Sequence, residues 1–293
     1  MKICYSEDYV AARYAFDTTR KSQAIAESLR ERPIPGVELV APTPATVEQL
    51  CRAHERDYVE AVRTGTPRDR AQGQGFTWDP GLWTAVAAST GGVLAAARTA
   101  VSEGVAGSLS SGLHHAAKGR GAGFCTFNGL ALAALDAVDG GARRVLIVDL
   151  DAHCGGGTWS IVAGEERVWQ LDVAVSPVDV YAPTGHATLD LVTRARDYLP
   201  TIERRLRDLA PGFDVMLYNA GMDPYEGCAI GGMTGITRDV LGERERMVFE
   251  WAGRQGVPVA FVLAGGYGSE EVLVELHRMT ISAAAGFTHG RRA

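Results

Sequence analysis

Short apolar runs rich in β-branched residues alternate along this chain with longer stretches whose apolar positions recur every three or four residues. The short runs predict strands at 1–5, 105–109, 144–148, 168–173, 214–219 and 258–263. The longer stretches predict helices at 46–53, 57–63, 82–102, 128–138, 189–209, 238–255 and 269–285. Alternation of this kind builds a mostly parallel sheet with helices on both faces, because each crossover helix buries its apolar side against the sheet. No internal repeat or low-complexity linker interrupts it, so 1–293 reads as one α/β domain. The tail 288–293 is expected to fray.

One strand carries more than packing. Val145-Leu146-Ile147-Val148-Asp149-Leu150-Asp151-Ala152-His153 is a buried strand running into three metal-competent side chains. Side chains alternate faces along a strand, which puts Asp149, Asp151 and His153 on one side. In open parallel sheets, ligands sit beyond the carboxyl ends of the strands. Two carboxylates delivered there need a compensating charge, and a divalent cation is the simplest one.

Three further pieces fall at predicted strand ends: Ser111-Gly112-Leu113-His114-His115-Ala116, Asn219-Ala220-Gly221-Met222-Asp223-Pro224 and Leu263-Ala264-Gly265-Gly266-Tyr267-Gly268. Each alone has an ordinary reading as cap, turn or packing residue. Together they complete the parts of a water-activating hydrolase. Asp151, His153 and Asp223 give three protein ligands with one metal position left open. His114-His115 offer a base of suitable pKa. Tyr267 offers a phenol to an oxyanion developing on a carbonyl.

Composition narrows the setting. The chain has 293 residues, 46% hydrophobic and 22% charged, which is ordinary for a soluble globular protein. A net charge of -6, from 29 basic and 35 acidic residues, argues against nonspecific nucleic-acid binding and favours cationic substrates. The five cysteines are scattered and form no CxxC pair, so reduced thiols in a cytoplasmic setting are expected. The N-terminus runs straight into strand-like sequence, with no signal peptide expected. The Ala- and Gly-rich tract at 85–100 is broken by Ser89, Thr90 and Arg98 and reads as a buried helix, not a membrane span.

The motifs resemble those of the zinc-dependent histone deacetylase-type amidohydrolases, of the arginase/deacetylase fold. The resemblance rests on Gly112-Leu113-His114-His115-Ala116, Gly123-Phe124-Cys125-Thr126-Phe127-Asn128, Val148-Asp149-Leu150-Asp151-Ala152-His153, Gly155-Gly156-Gly157-Thr158, Asn219-Ala220-Gly221-Met222-Asp223 and Gly265-Gly266-Tyr267. Weaker matches are His54-Glu55-Arg56-Asp57-Tyr58 and Ser176-Pro177 with Thr184-Gly185. It implies a three-layer α/β/α domain with an eight-stranded, mostly parallel sheet. It implies Zn²⁺ on Asp151, His153 and Asp223, a donor set that also accepts Fe²⁺ or Co²⁺. It implies His115 as general base and then acid, His114 as its partner backed by Asp149, and Tyr267 as the group that polarises the acyl carbonyl. Gly123 and Phe124 would form one wall of a substrate tunnel, and Tyr181 the other.

The chain departs from the family pattern in four places. Cys154 stands where a second His commonly follows the zinc His. Gly156 stands where an Asn or Asp usually backs the second His of the pair, so His115 is expected to lack its orienting partner, with an altered pKa and a shifted pH optimum, unless another residue replaces it. Ser110-Ser111-Gly112-Leu113 replaces the usual Pro-Pro. Leu171-Asp172-Val173-Ala174 lacks the usual pattern, which weighs against a structural K⁺ beside Asp149. The leading expectation is a bacterial-type deacetylase of acylated amines, with acetyl-lysine in proteins, small acetylated amines such as polyamines, and a secondary-metabolite intermediate all open. The absence of a long insertion weakens the polyamine reading. A weakly active acyl-amine binder and a two-metal, arginase-like hydrolase fit less well, the first because the site set is complete, the second because it needs more Asp ligands. Neither a membrane nor a nucleic-acid partner is expected, and the oligomeric state is left open.

Overall fold

In β4 (Val145–Asp149), Leu146 and Val148 turn to one side of the sheet and Val145 and Ile147 to the other, and all four are buried. The same split recurs in β7 (Val215–Ala220) and β8 (Val259–Leu263), so the core forms two apolar layers, one on each face. Strands buried on both faces read as continuous apolar runs, which is why these three were legible in the sequence. The computed structural model describes residues 1–14 and 17–287, so the tail 288–293 lies outside the described residues.

The remaining strands are β1 (Lys2–Cys4), β2 (Glu38–Val40), β3 (Val105–Ser108), β5 (Val168–Ala174) and β6 (Ala187–Leu191). All eight are parallel, in the order β2-β1-β3-β8-β7-β4-β5-β6. The helices are α1 (Asp17–Glu31), α2 (Val47–Leu50), α3 (Arg56–Thr64), α4 (Arg68–Ala71), α5 (Pro80–Glu103), α6 (Gly129–Asp139), α7 (Gly156–Val162), α8 (Tyr198–Asp208), α9 (Arg238–Gln255) and α10 (Glu270–Ala285). Core residues of α1, α8, α9 and α10 pack on one face of the sheet and those of α3, α5 and α6 on the other. This is the three-layer α/β/α arrangement. Among the described residues no helix is long and apolar enough to cross a membrane.

Two edge strands, β2 and β6, and the helices α1, α4 and α7 were not expected. The helix expected at 189–209 is corrected: its first residues belong to β6, and the helix begins only at Tyr198. Thr188-Leu189-Asp190-Leu191 alternates with the strand period, and Pro200 fits only the first turn of the helix that follows, where no amide donor is needed.

Candidate active site

Four segments far apart in sequence leave the carboxyl ends of β3, β8, β7 and β4, which are neighbours in the sheet. The loop after β4 carries Asp151 and His153, and the loop after β7 carries Asp223; all three are buried. Backbone donors fix them: Ala152 N donates to Asp223 Oδ1 (2.8 Å), and Gly265 N, beyond β8, donates to Asp151 Oδ2 (2.8 Å). One ligand atom from each of Asp151, His153 and Asp223 lies within 4.8 Å of the others. His153 Nδ1 is 3.1 Å from Asp151 Oδ1 and 3.1 Å from Asp223 Oδ2. Asp223 Oδ2 is buried and, beyond this approach of His153, has no hydrogen-bond partner among the described residues.

The electrostatics ask for positive charge at this point. Burial would lower His153, but Asp151 and Asp223 outweigh it and push its pKa up to about 10. Burial, then the Asp151 charge, raises Asp223 to about 6. Burial also opposes ionisation of Asp151, yet His114 and His153 overcome it and hold that carboxyl well below the usual range. A Cβ on Gly265 would come 2.2 Å from Asp223 Oδ2 and 2.6 Å from Asp151 Oδ2, so only glycine lets the backbone close over the carboxylates. Two buried carboxylates and one imidazole, with one carboxylate oxygen facing no donor but His153, fit a divalent cation. Asp149 does not join them: it ends β4, and its Oδ2 accepts from His114 Nδ1 (2.7 Å) while Oδ1 accepts from Asn219 Nδ2 (2.8 Å).

His114 and His115 sit beside this cluster with ring centroids 4.1 Å apart, and His115 lies 5.8 Å from the His153 ring. Their loop is tied down from several sides. Asn128 Nδ2 donates to His114 O and Ala116 O, and its Oδ1 caps α6 by accepting from Ala131 N. His54 Nδ1 donates to Ala117 O (2.9 Å) and its Nε2 accepts from Asn128 N (2.9 Å). Burial alone would lower His114, but Asp149 and Asp151 hold it well above its ordinary value. Burial and the neighbouring His114 lower His115. His115 nonetheless has a carboxylate: its Nδ1 donates to Asp179 Oδ2 (2.9 Å), from the loop after β5. Position 156 supplies no partner, as expected, and another residue replaces it: the alternative left open by the sequence is the one the structure shows. Asp179 carried no motif and went unnoticed in the sequence, which offered no signal for it beyond the glycine at position 156.

These groups open on a narrow cleft lined by His114, His115, Asp151, His153, Phe124 and Tyr267, among others. Gly123 packs against the His115 ring and Phe124 stacks on Phe76 at 5.6 Å. The Tyr267 ring stands 6.4 Å from both His153 and Phe124. Tyr181 is not brought to the cleft. It stacks on Trp159 at 5.3 Å and its hydroxyl donates to Thr188 O, so the expected second wall is corrected to a packing residue of an outlying apolar cluster. Cys154 belongs to that cluster: it is buried, its Sγ donates to Ser176 O (3.6 Å), and burial pushes its thiol up to about 12. Asp172 lies opposite Asp149 in the sheet, where burial and then the Asp149 charge raise it well above the usual carboxyl range.

A family model described as the histone deacetylase domain matches residues 15–283. An uncharacterised protein of Picosynechococcus sp. is 35% identical over 222 residues, covering 73% of each chain. Histone deacetylase 2 of Arabidopsis thaliana is 30% identical over 60% of this chain and 48% of its own length. The acetoin utilization protein AcuC of Staphylococcus aureus is 32% identical over 52% of this chain and 42% of its own. Among solved structures, the HDA15 HD domain superposes with a TM-score of 0.79 at 20% identity, over 98% of this chain and 90% of that one. An acetylpolyamine aminohydrolase from Burkholderia pseudomallei gives 0.80 at 18% identity, over 98% and 99%. At these identities the structural likeness establishes the shared fold.

Proposed function

The chain belongs to the histone deacetylase family of hydrolases, and from that premise we propose that it removes an acetyl or other acyl group from an acylated amine by metal-assisted hydrolysis. One observation carries the reading: the Asp151–His153–Asp223 cluster, the His114–His115 pair and Tyr267 converge on a single cleft.

Asp151, His153 and Asp223 would hold the cation, with Zn²⁺ as the expected metal and Fe²⁺ or Co²⁺ as alternatives for this donor set. When bound, such an ion acidifies water and polarises a carbonyl. The protein's own groups do the rest. His115, its Nδ1 committed, presents Nε2 to take the proton of the attacking water. Tyr267 donates a hydrogen bond to the carbonyl oxygen as negative charge grows there. His114, backed by Asp149, steadies the charge that His115 acquires. The carbon–nitrogen bond breaks as the imidazolium of His115 protonates the leaving amine. The products are a carboxylate and a free amine.

A mass-spectrometric panel tests this on purified protein. It contains acetyl-lysine peptides, longer acyl-lysine peptides and acetylpolyamines, with His115→Ala as control. Free amine released by the wild type and not by the variant is expected, and the substrate turned over fastest identifies the amine class. Equal release by both proteins, or silence across the panel with zinc shown to be bound, would overturn the reading.

A further inference from the structure

A base that accepts a proton on Nε2 needs its other ring nitrogen protonated and held. We propose that Asp179 is the positioning residue that holds His115, standing in from the loop after β5 for a side chain that position 156 does not carry; this rests on the deacylation reading above. The Asp179 carboxylate accepts from His115 Nδ1 at 2.9 Å and from Gly157 N at 3.0 Å, so one oxygen, Oδ2, ties the ring to the first turn of α7.

Three further observations make this a built arrangement. Asp179 adopts φ 61°, a left-handed conformation that costs a side chain and is tolerated best by Asp and Asn. Its loop is clamped to the metal-ligand loop: Val175 N and Ser176 N donate to Ala152 O, and Cys154 N donates to Val178 O (2.9 Å). The loop that places His153 therefore also places Asp179. Finally, a Cβ on residue 156 would lie 2.4 Å from Asp179 O and 2.6 Å from Asp179 Oδ1. The space a side chain at 156 would fill is the space Asp179 occupies. Glycine at 156 and aspartate at 179 are two halves of one substitution, and Gly156 is what lets Asp179 come within reach.

The test uses the zinc-loaded protein and four variants, Asp179→Ala, Asp179→Asn, Gly156→Ala and the double variant Asp179→Ala/Gly156→Ala. Imidazole nitrogen NMR reads the His115 tautomer, and steady-state kinetics on the substrate found in the panel gives kcat and KM separately. The wild type is expected to show Nδ1–H and a free Nε2. Asp179→Asn keeps an acceptor and is expected to keep that tautomer and most of kcat. Asp179→Ala is expected to lose the tautomer bias and to lower kcat roughly tenfold to a hundredfold, with KM changed by less than about threefold. Gly156→Ala should reproduce the Asp179→Ala defect, and the double variant should be no worse than either, because both break one contact. Should Gly156→Ala fail to fold, Asp179→Ala decides alone, its side chain being partly exposed. A wild-type His115 with Nε2 protonated, or Asp179→Ala at wild-type kcat, would overturn the proposal. Were no substrate turned over, the NMR arm would still decide the role of Asp179, while the deacylation reading failed separately.

Discussion

Tyr267 enters the cleft as a neutral phenol, because burial, reinforced by the Asp151 and Asp223 charges, raises its pKa. A neutral phenol donates a hydrogen bond and helps only where negative charge develops. Tyr267→Phe is therefore expected to lower kcat by about 10²–10³-fold with little change in KM, as for loss of one oxyanion donor. Steady-state kinetics together with an unchanged metal content checks this; an equal rise in KM at constant kcat would mean Tyr267 only binds substrate. At this scale the sequence was informative where a residue closes a strand, as with Asp151, His153 and Asp223. It was silent on Asp179, which lies 64 residues from His115 and reaches it only through the fold. Tyr181 was misread because its loop is ordered by packing on Trp159, which no local pattern announces.

At the level of elements, the loop that carries the histidine pair is stapled to the N-terminus of α6 by His54. That bridge needs a neutral ring, with Nδ1–H donating and Nε2 accepting. Burial keeps it neutral, pushing its pKa down to about 4. In the unfolded chain the same ring titrates near its ordinary value of 6.5. Below that value the unfolded state binds the proton first. In the folded protein the ring stays neutral down to about pH 4; the stability tied to keeping it neutral is full above pH 6.5 and is lost as pH falls from there through about 4, to a total of about 3 kcal/mol. Urea unfolding of wild type and His54→Asn across this window is expected to show the wild type losing more stability on acidification. Parallel pH profiles would contradict it. The central strands and the longer helices were legible because their apolar periods are unbroken. The edge strands β2 and β6 were not, being short and half-solvated, and β6 was absorbed into a helix whose true start is marked by Pro200.

For the whole molecule, sheet order does what sequence order hides. The four segments that build the site are dispersed along the chain, yet they leave β3, β8, β7 and β4, which lie side by side. A parallel sheet aims all their carboxyl ends the same way, so the convergence follows from topology. The fold class and the separate motifs could be read from patterning, whereas strand order, and with it the reach of the β5 loop to His115, is set by tertiary pairing that periodicity does not encode. Two apolar layers hold the sheet while its carboxyl edge carries buried charge that packing alone does not neutralise. The most direct check of the account is a metal titration. Metal-stripped protein is titrated with Zn²⁺ while bound metal and release of free amine from the best panel substrate are both followed. Activity is expected to rise from background to a plateau at one equivalent per chain, and Asp223→Asn to bind zinc at least tenfold more weakly, as roughly expected for a lost ligand contact. Full turnover by the stripped protein, or tight stoichiometric zinc binding by Asp223→Asn, would contradict the assignment of this cluster as the metal centre of a deacylase.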